Sequence, residues 1–193
     1  MLRETYHRVL ALAASPRAPW WLAVIAFAES SFFPIPPDVL LVPMALARPD
    51  RAWRLALICT IASVAGGALG YAIGYFVFTQ LMRTSAAHVL FGADPLGTFQ
   101  GWYAKWGLAV ILIKGMTPIP YKIVTIASGA AKFDFWIFMA ASVVTRGGRF
   151  FLVATLLHFW GEAVKDFIER RLTLVTTGVA LGIVGGFVAF RFL

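Results

Sequence analysis

The sequence predicts an all-α polytopic membrane protein, with two opposed re-entrant helical hairpins in an inverted repeat and about three full transmembrane helices. Three observations predict it. Hydrophobic residues make up 60% of the 193 and charged residues 13%, against roughly 45–50% and about 25% in soluble domains. The apolar residues spread over nearly the whole length, in stretches close to the ~20 residues that a helix needs to cross a hydrocarbon core ~30 Å thick. Two of those stretches are interrupted by the same tripeptide, Pro-Ile-Pro, at 34–36 and again at 118–120.

The elements follow in order. Residues 1–19 form an N-terminal segment whose arginines assign it to the cytoplasm. Arg3 and Arg8 precede the apolar run as in a signal peptide, but no small-x-small cleavage site follows, so the segment is retained. A hairpin over 20–47 is broken by Pro34, Pro36 and Pro37, and a second over 106–131 by Pro118 and Pro120. Each proline removes a backbone donor and clashes with the preceding turn. The pieces beside the breaks, about 9–14 residues or ~14–21 Å of helix, are too short to cross alone, so each pair turns back. Residues 55–81, 135–160 and 172–192 are long enough to span. Between the halves, 83–105 is an interfacial segment in which Phe99, Trp102, Tyr103 and Trp106 share one helical face, as aromatics at headgroup level do.

Charge placement supports turning back. With hairpins, Arg3, Arg8, Arg17, Arg48, Arg51, Arg54, Lys165, Arg170 and Arg171 share one side and Arg83, Lys105, Lys132 and Arg191 the other, nine to four. With full crossings the split falls to eight to five, and the positive-inside rule favours the larger bias. The segment Phe33-Pro34-Ile35-Pro36-Pro37-Asp38 aligns with Thr117-Pro118-Ile119-Pro120-Tyr121-Lys122, and Gly66-Gly67 approximately with Gly147-Gly148. One crossing separates the hairpins, so they enter from opposite faces, an arrangement that secondary transporters use to hold a site near the midplane. The four-residue ladders Gly66, Gly70, Gly74 and Gly178, Gly182, Gly186 allow close helix approach, within one chain or in a homo-oligomer.

Six ionisable residues lie in or beside the apolar segments: Glu29, Asp38, Lys114, Lys122, Arg146 and Arg149. Each central Asp, Lys or Arg costs at least ~2.5–3.5 kcal/mol at bilayer depth, so such groups face a cavity or one another. Glu29 and Asp38 flank the first break, and Lys114 and Lys122 the second, so pairing of these acids with these bases across the repeat is the simplest expectation. One reading stops at ion pairs that hold the hairpins together. The other assigns function: four bases over two acids suit a phosphate headgroup, and a carboxyl in a poorly hydrated site can carry protons, which makes Glu29 and Asp38 proton-coupling candidates. Lys114, Lys122, Arg146 and Arg149 are then the substrate-binding candidates, helped by half-helix N-termini after Pro37 and Pro120. Gly147 and Gly148 between the two arginines would let another backbone come close.

Other classes fit poorly. The net charge of +8 falls mostly between hydrophobic runs, as topology and lipid-surface charge, with no aromatic-basic groove for nucleic acid. Cys59 is the single cysteine, and His7, His88 and His158 are scattered, so no metal, cofactor or disulfide is expected. No H-E-x-x-H or Gly-x-Ser-x-Gly pattern points to an enzyme.

Taken in order, Glu29, Phe33 to Asp38, Gly66-Gly67 with Gly70-Tyr71, Lys114 to Lys122, Ser128-Gly129 and Arg146-Gly147-Gly148-Arg149 resemble the DedA family, the SNARE-associated or VTT-domain membrane proteins, and particularly its YqaA-like branch. The resemblance covers about 20–160. It implies opposed re-entrant hairpins, a bacterial inner-membrane location and proton-motive-force-linked movement of a phosphate-bearing lipid, such as undecaprenyl phosphate or a phospholipid, between leaflets. A small-solute or ion transporter and a non-transporting assembly factor are the alternatives. The family's acidic pair falls on Glu29 and Asp38. Its basic pair reads as arginines around a proline, whereas this chain has Lys114 and Lys122 at wider spacing, and lysine cannot make the bidentate phosphate fork.

Overall fold

The computed structural model describes residues 13, 15–78, 95–116 and 120–170, save the side chains at 78, 95, 96, 98, 114–116 and 165–170. The expected helix over 172–192, its glycine ladder, Pro118, the Lys114 side chain and most of 1–19 lie outside the described residues. All regular structure among the described residues is helical.

Helix α1 (Ala18–Ser31) ends just before the first proline cluster, and α2 (Asp38–Ala47) starts immediately after it with Pro37 as its cap. Pro43 sits within α2. These helices have 14 and 10 residues, so they are only ~21 and ~15 Å long. After one turn over Pro49–Arg51, α3 (Ala52–Ile73) runs 22 residues and closes in a π-helical turn over Gly74–Phe78. Helix α4 (Pro95–Met116) is continuous through the expected boundary at 105/106, joining the interfacial aromatics to the first limb of the second broken segment. Its partner α5 (Tyr121–Ala130) is again 10 residues and begins directly after Pro120. The 36-residue α6 (Phe135–Arg170) extends ten residues past the expected end at 160.

Among the described residues two continuous stretches, Pro49–Val77 and Phe135–Val164, are long and apolar enough to cross a membrane. The distribution of polarity argues the same way. Large apolar side chains point outward, among them Trp20, Leu57, Ile61, Trp136, Val144, Leu152 and Phe159. Ser30, Ser31, Ser63, Thr125, Ser128, Ser142, Glu29 and Arg146 are buried. Lipid, not water, is the solvent that favours an apolar skin over a polar interior.

The interior is layered. One apolar cluster joins Leu22 and Ala26 of α1, Leu41 and Met44 of α2, Leu55 and Cys59 of α3, and Phe150 and Ala154 of α6. A second joins Ile111 of α4, Tyr121 and Val124 of α5, and Phe138 and Ala141 of α6. Along α6 the polar residues Ser142, Thr145, Arg146 and Arg149 fall between the two clusters.

Helix α3 is the hub, packed on α1, α5 and α6. Its glycine ladder explains how. A Cβ at Gly66 would overlap the backbone of Phe27, one at Gly70 the carbonyl of Ser30, and one at Gly74 the carbonyl of Ile126. Gly129 of α5 abuts the backbone of Tyr71 in return. The close approaches of this ladder are therefore within one chain. The expectation for Gly147 and Gly148 is corrected: a Cβ at Gly147 would make only an ordinary 3.6 Å contact with Thr60, and Gly148 is exposed.

Candidate functional site

Both proline breaks meet in the polar layer. Pro34, Pro36 and Pro37 from the first and Pro120 from the second line one cavity of about 90 Å³, together with Glu29, Asp38, Arg146 and Arg149. A cavity of that size has room for a few waters, each taking ~30 Å³ in the liquid.

Glu29 lies near the end of α1, 6% exposed, and Arg146 in the middle of α6, 2% exposed. Arg146 Nη2 donates to Glu29 Oε2 at 2.8 Å. Two charges so deeply buried persist only with near-complete hydrogen bonding, and this pair has it. Ser30 Oγ donates to the same oxygen at 3.2 Å, and the Tyr121 N–H, the first of α5, reaches Oε1 at 3.3 Å. The positive end of α5 thus meets an anion the protein itself supplies. Arg146 Nε donates to Ser63 Oγ at 2.6 Å, and Ser63 and Ser30 share a hydrogen bond of 2.6 Å. The guanidinium lies between the rings of Tyr121 and Phe150, 4.8 and 4.7 Å from their centroids, where cation–π attraction offsets part of its desolvation.

The second pair is nearer the rim. Asp38, first residue of α2, accepts from Arg149 Nη2 through Oδ2, and both side chains are about a quarter exposed. Asp38 Oδ1 is buried without a hydrogen-bond partner among the described residues. Arg146 and Arg149, three apart, occupy one face of α6 as an i, i+3 pair must.

The expected pairing of the acids with Lys122 is corrected, while the Lys114 side chain lies outside the described residues. The carboxylates of Glu29 and Asp38 go to Arg146 and Arg149, whereas Lys122 Nζ lies 3.5 Å from the Phe32 carbonyl. The planar guanidinium fork suits a dry site better than a strongly hydrated ammonium does. Lys122 still joins the two breaks, as does Thr125 Oγ1, which donates to the Ser30 carbonyl at 3.0 Å. Ser30, Ser63 and the Tyr121 amide were not legible as site groups. Their one signal is a hydroxyl inside a long apolar run, which needs a partner on another helix. Of the interfacial aromatics, Trp102 and Trp106 are exposed, but Tyr103 turns inward and shares a 2.7 Å hydrogen bond with Ser128. His158 faces the Pro49 carbonyl at a helix end, 2.8 Å away.

Beside the site, α1 and α2 leave an apolar groove of about 760 Å³, running from Ser15 and Arg17 past Trp21, Ile25, Leu40 and Pro43 to Val39, the neighbour of Asp38.

An apolar-skinned all-α bundle with buried ion pairs at two touching helix breaks defines an integral membrane protein with an internal polar site. The VTT domain matches residues 35–159, and the chain belongs to that family, the DedA group. An uncharacterized protein of Haemophilus influenzae is 35% identical over 164 residues, 85% of this chain and 84% of its own length. One from Histophilus somni is 36% identical over 176 residues, 91% of each chain. An uncharacterized protein of Methanocaldococcus jannaschii is 27% identical over 124 residues, 64% of this chain and 73% of its own. No solved structure matches the chain.

Proposed function

We propose that the protein moves an anionic, phosphate-bearing lipid between the leaflets of a bacterial inner membrane, coupled to protons, and that it is not an enzyme. In this reading the segments 20–47 and 106–131 are re-entrant hairpins entering from opposite faces, the N-terminus is cytoplasmic, and 55–81, 135–160 and 172–192 span the bilayer. The observation that carries it is the cavity shared by Glu29, Asp38, Arg146, Arg149, Pro34, Pro36 and Pro37 of the first break and Pro120 of the second. Arginine recognises phosphate through charge-assisted hydrogen bonds, and Arg149 is the cation nearer the rim. A phosphate that engages Arg149 competes with Asp38, and a carboxylate that loses its cation inside a poorly hydrated site takes up a proton. The acids thereby couple anion binding to proton uptake. Lys122, at the junction of the breaks, adds positive charge, and Lys114 is assigned with it. The groove between α1 and α2 offers a lipid tail a place beside the headgroup site.

Leaflet exchange of labelled anionic and zwitterionic lipids, by purified protein in liposomes with and without a proton gradient, tests the proposal. Wild type is expected to exchange the anionic lipid, with gradient dependence, and Asp38→Ala and Arg149→Ala to lose it while remaining folded. Exchange retained in both variants removes the site assignment. The small cavity volume favours a second reading, a small-anion or proton-coupled solute transporter, which vesicle uptake of the solute without lipid movement would select. Absence of both activities would point to an assembly factor.

A further inference from the structure

We propose that the two acids of the site are not equivalent: Asp38 is the proton-accepting group, while Ser63 and Ser30 are positioning residues that close a hydrogen-bonded ring and keep the proton off Glu29. The inference deepens the proton-coupled reading above and rests on it for its functional meaning, but it stands on hydrogen-bond geometry.

The ring is Glu29, Arg146, Ser63, Ser30 and back to Glu29. Arg146 donates twice, from Nη2 to Glu29 and from Nε to Ser63. The single hydroxyl proton of Ser30 goes to Glu29 Oε2. The Ser30–Ser63 contact of 2.6 Å must then use the proton of Ser63, which accepts from Arg146 on one side and donates on the other. The ring has two arms, one direct and one through Ser63 and Ser30, and both run donor to acceptor from the guanidinium to the carboxylate. The remaining carboxylate oxygen takes the Tyr121 N–H. Among the described residues every group hydrogen-bonded to Glu29 is a donor, so an added proton meets no protein acceptor there. Accepting one on Oε2 would require both serine hydroxyls to reverse, would leave the Ser63 proton without an acceptor in the ring, and would strip a 2%-exposed Arg146 of its counter-charge, the costly way to break a buried pair.

Asp38 differs in its hydrogen bonding. Both acids line the cavity with room for water, but whereas Asp38 Oδ2 serves Arg149, Oδ1 is a buried oxygen with no donor among the described residues. A proton delivered there displaces no existing hydrogen bond. Among the described residues the charged and titratable groups around Asp38 are Arg149 and Arg146 of α6, Glu29 of α1 and the Cys59 thiol of α3. Among the described residues those around Glu29 are Arg146, Tyr121 and, across the same cavity, Asp38 and Arg149. In one cycle, a proton adds to Asp38 Oδ1, the Asp38–Arg149 pair opens, and Arg149 becomes available to an anion; loss of that proton restores the pair. The Glu29–Arg146 pair stays closed throughout.

Infrared difference spectra of the full-length protein in lipid nanodiscs, between acidic and neutral buffer, read protonated carboxyls directly. Subtracting each variant's spectrum isolates one carboxyl from the surface acids. Asp38→Asn is expected to lose a carboxyl band from a poorly hydrated site, and Glu29→Gln to lose none. Ser63→Ala should open the ring and add a second band, absent from the Ser63→Ala/Glu29→Gln double variant, whereas Ser63→Thr keeps its hydroxyl and the wild-type spectrum. A band lost in Glu29→Gln and kept in Asp38→Asn overturns the assignment, and so does an unchanged spectrum in Asp38→Asn. The Asp38 arm decides alone if Glu29→Gln does not fold, because Asp38 lies nearer the rim. Absent lipid movement with an intact Asp38 band would sink the transport reading and leave this one standing.

Discussion

Replacing Glu29 with glutamine preserves the shape of the side chain and deletes its charge, leaving Arg146, 2% exposed, as an uncompensated buried cation. Removing one partner of such a pair costs about 3–5 kcal/mol, and Arg146→Met should cost a similar amount by stranding Glu29 and the Ser63 hydroxyl. If the losses were independent, the double variant would be destabilised by about 6–10 kcal/mol. The contacts predict otherwise. With both charges gone no ion is left stranded, and a methionine between the rings of Tyr121 and Phe150 regains sulfur–aromatic contact of about 0.3–1.5 kcal/mol. The double variant should therefore be no worse than either single one, a coupling of at least ~3 kcal/mol. Reversible unfolding in mixed micelles, followed by circular dichroism, measures all four corners of the cycle. Additivity within ~0.5 kcal/mol would refute the claim that this pair is buried and mutually compensated.

Asp38→Asn should cost less, about 1–2 kcal/mol, between the values for exposed and buried pairs, because Asp38 and Arg149 are each about a quarter exposed; the same unfolding assay reads it. Gly66→Ala, which forces a Cβ onto the Phe27 backbone, should destabilise by at least the 1–3 kcal/mol of ordinary overpacking and lower the melting temperature. Gly147→Ala, with only a 3.6 Å contact to Thr60, should be neutral or stabilising by up to ~1 kcal/mol from helix propensity. Tyr103→Phe, which deletes the hydrogen bond to Ser128, should lose about 1 kcal/mol in thermal unfolding.

The helix breaks were legible because proline acts locally: α2 begins right after Pro37 and α5 right after Pro120. The partners of the acids were not legible. Repeat logic set Glu29 and Asp38 against Lys114 and Lys122, but pairing is decided by which helix crosses the break, and that helix is α6. Glycine spacing marked Gly66, Gly70 and Gly74 as a close seam, while the similar-looking Gly147 has space beside it, a difference that depends on which face of α6 meets a neighbour. Helix α4 passes through 105/106 because nothing in that stretch breaks a helix; the change from aromatic to aliphatic composition altered its surroundings, not its backbone.

The Glu29–Arg146 bond joins residues 117 apart in the chain. At ribosomal rates of roughly 5–20 residues per second, about 6–23 s separate the synthesis of the two ends. Throughout that interval the carboxylate of Glu29 belongs to a helix too short to cross the bilayer and lacks the guanidinium it pairs with in the folded chain. The first broken segment must therefore wait at the aqueous edge or inside the insertion machinery until α6 is made. Its final burial is a late step that follows the synthesis of α6, and a chain cut before residue 146 lacks the guanidinium that completes it.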